Sequence, residues 1–93
     1  MPTIAVHLSI SGRVQGVGFR AWTVRQGRQR ALRGWVRNRR DGRVEALLIG
    51  GAAEVEAMVE ACRHGPALAR VDALERLPAA DDGTPDFGER PTA

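Results

Sequence analysis

The chain has 93 residues, 43% hydrophobic and 27% charged, so residues 1–93 are read as one small domain with a single core. One cysteine, Cys62, excludes an internal disulfide framework, and with only His7 and His64 beside it no metal site is expected. All 14 basic residues are arginine, and the net +3 divides into +9 from Arg13 to Arg43 and −6 from Val44 to Ala93, which raises the question of an anionic partner.

Thr3 to Ser11 alternates, with Ile4, Val6, Leu8 and Ile10 on one face and His7 on the other, so a half-buried strand with a surface histidine is expected. A loop with three glycines, Gly12 to Gly18, follows. Phe19 to Gln29 reads as a helix with Phe19, Trp22, Thr23 and Gln26 on its inner stripe. Gly34 to Arg39 is a short strand. Asp41-Gly42 marks a hairpin into a return strand, Val44 to Ile49. Ala53 to His64 is a second helix, stopped by Gly65-Pro66, with Val55, Met58, Val59 and Cys62 inward. That stripe makes Cys62 a core residue rather than a reactive thiol. Ala69 to Leu77 alternates, with Val71, Ala73 and Glu75 opposite Asp72, Leu74 and Arg76. Pro78 to Pro85 is a polar loop, and Phe87 to Arg90 is a candidate short fifth strand at an edge. The order strand, helix, strand, strand, helix, strand predicts an α+β, ferredoxin-like βαββαβ sandwich, two helices on one face of an antiparallel sheet. No run approaches the ~20 apolar residues of a membrane span, and the start has no signal-peptide pattern, so a cytoplasmic protein is expected.

The glycine loop is where chemistry is expected. Glycines let successive N–H groups converge, and the helix behind them adds unpaired N–H groups and the positive end of its dipole. A cation in that first turn, Arg20, is misplaced by roughly 0.3–1 kcal/mol unless an anion sits between it and the dipole. The alternative is that Arg20 points into solvent. Gly16-Val17-Gly18-Phe19-Arg20-Ala21 fits GxGxxA, but Asp41 lies in a hairpin and the chain is too short for the two-halved dinucleotide sheet. Arg33-Gly34-Trp35 mimics the start of an RNA-recognition motif, yet Arg37 and Arg40 stand where aromatics are needed, so no specific nucleic acid is expected.

Gly12-Arg13-Val14-Gln15-Gly16-Val17-Gly18-Phe19-Arg20, then Gly34-Trp35-Val36-Arg37-Asn38, then Asp41-Gly42-Arg43-Val44-Glu45, resembles the acylphosphatase family along nearly the whole chain. The resemblance implies a metal-free, cofactor-free hydrolase of the carboxyl–phosphate bond, acting as a cytoplasmic monomer on small acyl phosphates. Inorganic phosphate would be both product and inhibitor. It also implies that Gln15, Gly16, Val17, Gly18, Phe19 and Arg20 bind the phosphate and that Asn38 orients the attacking water. Arg30-Ala31-Leu32 departs from the family's Leu-Gly-Leu. Alanine at a helix end that favours φ > 0 predicts a local adjustment there.

Overall fold

The computed structural model describes residues 2–93. Five strands and two helices follow in order: β1 (Thr3–Arg13), α1 (Phe19–Gln29), β2 (Arg33–Asn38), β3 (Val44–Gly51), α2 (Ala52–Cys62), β4 (Arg70–Pro78) and β5 (Phe87–Glu89). The sheet order is β4-β1-β3-β2-β5. The first four strands pair antiparallel, as expected of the ferredoxin-like order. β5 runs parallel to β2, pairing Gly34 with Phe87 and Val36 with Glu89, so the sheet is mixed rather than wholly antiparallel.

Alternation on β1 puts Val6, Leu8 and Ile10 into the core with Val36, Val44, Ala46 and Leu48 of the neighbouring strands. The helices cover this face with Phe19 from α1 and with Val55, Met58, Val59 and Cys62 from α2. Burial pushes the Cys62 thiol up to about 12, so it is an inert core group.

The other sheet face carries a smaller cluster, Trp35, Leu47 and Ile49, with Ala5 and Ala79 against it. The loop between β4 and β5 straps this side. Asp82 Oδ2 accepts from the Trp35 indole at 3.1 Å, and Asp81 pairs with Arg33.

Two local features differ from the sequence pattern. Strict alternation on β4 separates Val71 from Leu74, yet both pack on the core. The pairing steps from Ser11↔Ala73 to Gly12↔Val71, so Asp72 is an extra residue on β4, a bulge that turns Val71 back inward. At the end of α1, no adjustment accommodates Ala31. It takes φ 56 in an intact Schellman arrangement, with Leu32 N–H donating to Gly27 O at 2.9 Å and Ala31 N–H to Arg28 O at 3.1 Å.

Phe87 is the buried anchor of β5. It rests against Gly27 of α1, where a Cβ would stand 2.9 Å from the ring. The close approach of helix and edge strand thus depends on the missing side chain at Gly27, and it carries Glu89 to the start of α1.

Candidate active site

Gly16 (φ 72) and Gly18 (φ 78) turn the chain from β1 into α1. A Cβ at either position would meet nothing within 4 Å, so the requirement is conformational rather than spatial. The first helical hydrogen bond is Trp22 N–H to Gly18 O at 3.0 Å, which leaves the N–H groups of Phe19, Arg20 and Ala21 without a helical acceptor. No side chain caps this end, and the first turn holds no acid. An uncapped positive helix end behind two left-handed glycines is suited to an anion.

Gln15 fixes where that end lies. Its Nε2 donates to Arg39 O at 2.8 Å and to Arg43 O at 2.9 Å, tying the loop to the base of the β2–β3 hairpin. Its side-chain donor is thereby committed to positioning, leaving only its backbone N–H to donate to a ligand. Asn38, last residue of β2, lies beside that hairpin base and pairs with Val44. Its backbone O accepts from Ala93 N–H at 3.0 Å. Its side-chain Oδ1 is buried and has no hydrogen-bond partner among the described residues. An unsatisfied buried acceptor costs about 1–3 kcal/mol, so a donor is expected to complete it.

These groups meet in one concavity of about 140 Å³, lined by Val14, Gln15, Gly16, Gly18, Phe19, Arg20, Ala21, Asn38 and Glu89. Of the residues assigned from sequence, Gln15, Gly16, Gly18, Phe19, Arg20 and Asn38 line it. Val17 does not, because its side chain is buried in the core. Its part is confined to the backbone. Glu89 was not foreseen from sequence; it sits on a strand of three residues, too short for a period to show which way a side chain points. Its Oε1 lies 3.7 Å from Arg20 Nε, with both side chains about half exposed.

A larger cavity, about 220 Å³, opens on the opposite sheet face around His7, Glu45 and Arg43. Most of its charges are already matched. Glu45 accepts from His7 at 2.6 Å and also from Arg37 and Arg39. Burial pushes the Glu45 carboxyl up, and the hydrogen bonds from Arg37 and His7 outweigh it, holding the group below its ordinary range. Asp41 holds Arg43 through Nε and Nη2. No orphaned polar group invites a ligand there, so the smaller cavity is the better candidate. Among the described residues no cluster of three or more His, Cys, Asp or Glu is placed to hold a metal ion. Among the same residues no helix is long and apolar enough to cross a membrane.

Comparison with known proteins identifies the family. The family model described as Acylphosphatase matches residues 6–88. An acylphosphatase of Acidiphilium cryptum is 53% identical over 89 residues, covering 96% of this chain and 98% of that protein. One of Rhodospirillum rubrum is 52% identical over 92 residues, covering 99% of each. Among solved structures, an acylphosphatase from Coxiella burnetii superposes with TM-score 0.91 at 30% identity, covering 95% of this chain and 93% of that one. The crystal structure of acylphosphatase from Bacillus subtilis gives 0.90 at 34%, covering 94% and 98%.

Proposed function

The chain belongs to the acylphosphatase family and hydrolyses acyl phosphates, and we propose that it does so by direct attack of a water held at Asn38 on a phosphoryl group held by Arg20 and the amides of residues 15–20. The observation that carries this reading is the buried, unpartnered Oδ1 of Asn38 in the same concavity as the uncapped start of α1 and Arg20.

The chemistry asks for little more. The leaving group of an acyl phosphate is a carboxylate, which departs as a stable anion and needs no general acid. Phosphoryl transfer is otherwise positioning and charge stabilisation. The forked guanidinium of Arg20 and the loop N–H groups supply the charge. Asn38 Oδ1 is an acceptor without being a base at neutral pH, so it orients water rather than deprotonating it. Gln15 keeps the two halves in register by binding the loop to the hairpin that ends β2. The substrates are small acyl phosphates, the product phosphate is a competitive inhibitor, and the enzyme works as a cytoplasmic monomer without cofactor.

Hydrolysis of benzoyl phosphate in the presence of a chelator tests this. Arg20→Lys is expected to lower kcat/KM by about 10²–10³, since an ammonium cannot reproduce the fork. Near-wild-type turnover in that variant removes Arg20 from the mechanism. Asn38→Ala is expected to lower kcat by about 10² while the inhibition constant of inorganic phosphate barely moves. If inhibition weakened as much as kcat fell, Asn38 would bind phosphate instead.

A further inference from the structure

Glu89 is the one carboxylate lining the concavity that this reading assigns to phosphate. Its position follows from the fold. β5 pairs in parallel with β2, so Phe87 and Glu89 lie on the core side with Gly34 and Val36, while Gly88 faces the other way. Phe87 pins the strand against Gly27, and the next side chain on that face reaches the start of α1. There Glu89 Oε1 stands 3.7 Å from Arg20 Nε. A carboxylate is a poor neighbour for a phosphoryl group, which brings negative charge to the same guanidinium.

We propose that Glu89 is an internal competitor for Arg20, weakening the hold of the site on phosphate so that product leaves readily. This rests on the assignment of Arg20 to the phosphoryl group. In the free enzyme the carboxylate occupies part of the field of Arg20 and keeps the side chain at the mouth of the loop. A bound phosphate must displace that contact and then tolerate the carboxylate beside it. Both effects weaken ground-state binding of substrate and product alike, so Glu89 raises KM and the phosphate inhibition constant together.

The test is Glu89→Gln, with Glu89→Asp as the charge-preserving control. Removing the charge is expected to tighten inhibition by inorganic phosphate about three- to fivefold and to lower KM alike, the size expected for a half-exposed pair. The gain should shrink as ionic strength rises, and Glu89→Asp should keep a wild-type inhibition constant within about twofold. A damaged pocket binds phosphate less tightly, so a gain in affinity separates the proposed role from structural harm. Unchanged or weaker inhibition in Glu89→Gln overturns the proposal. Arg20→Gln in the same assay isolates its premise. If that variant loses phosphate inhibition while Glu89→Gln changes nothing, the site stands and only the role of Glu89 falls. If phosphate inhibits Arg20→Gln as it does the wild type, the assignment of Arg20 falls too.

Discussion

Ala31 carries a conformation that its side chain opposes. At φ 56 it sits in the left-handed region, where an L-residue other than glycine, asparagine or aspartate is strained by about 1–2 kcal/mol. The Schellman bonds from Ala31 and Leu32 to the last turn of α1 hold it there. Replacement by glycine relieves the strain but gives back part of it, roughly 0.5–1 kcal/mol, as extra freedom of the unfolded chain. The balance favours Ala31→Gly by about 0.5–1 kcal/mol, a rise in Tm of roughly 4 °C for a domain of this size. Ala31 lies outside the concavity at the start of the same helix, so kcat on benzoyl phosphate should stay at the wild-type value. Thermal unfolding of the two proteins decides it, and a lower Tm in the glycine variant would mean that the methyl group makes contacts worth more than the strain. The sequence does show that an alanine stands at this helix end. What it cannot show is whether backbone or side chain yields, since that depends on how firmly Leu32 is packed below it.

At the level of elements, the strongly periodic segments were legible and the short or irregular ones were not. α1 has the bounds its stripe predicts, and the Asp41-Gly42 hairpin forms as its turn chemistry requires. The bulge at Asp72 escaped because an inserted residue breaks the period on which the reading rests. The parallel pairing of β5 escaped because Phe87–Glu89 is too short to carry a pattern, and with it went Glu89 as a site residue. The strap between β4 and β5 is held by polar contacts that no periodicity reports, and these make it acid-sensitive. The hydroxyl and N–H of Thr84, and more weakly the Trp35 indole and Arg90, hold the Asp82 carboxyl down at about 2. A carboxyl whose folded value lies below its unfolded one lends stability above the unfolded value and loses it as pH falls through the folded one. The contribution of Asp82 is therefore complete above about pH 4 and fades toward pH 2. The Trp35 Nε1–H resonance, whose proton bonds to Asp82, should shift across that window and stay flat in Asp82→Asn. A flat resonance in the wild type would show that the strap does not depend on this charge.

At the scale of the whole molecule, the charge imbalance along the chain is partly offset by folding. Arg20 pairs with Glu89, Arg30 with Glu54, Arg33 with Asp81, and both Arg37 and Arg39 with Glu45. Each of these joins the basic segment to the acidic one. Such surface pairs add little stability individually. Their larger consequence is that the +9 segment does not present a continuous cationic face. Arg37 and Arg90 also stack on Trp35, at 4.7 and 4.9 Å from the ring centre, which covers the indole a base would need. Among the described residues, only Arg13, Arg25, Arg28 and Arg40 have no carboxylate within 4.0 Å. A polyanion engaging those four releases few counterions. Single-stranded RNA should bind no tighter than about 10⁻⁴ M at physiological salt, with a log–log salt slope no steeper than about −3. A titration of labelled RNA at several salt concentrations checks both quantities. A steeper slope would mean that the ion pairs open to a long anion and that the arginine-rich segment is a second binding surface. The expected shallow slope would leave the concavity at Arg20 as the place where this charge acts, on an anion the size of one phosphoryl group.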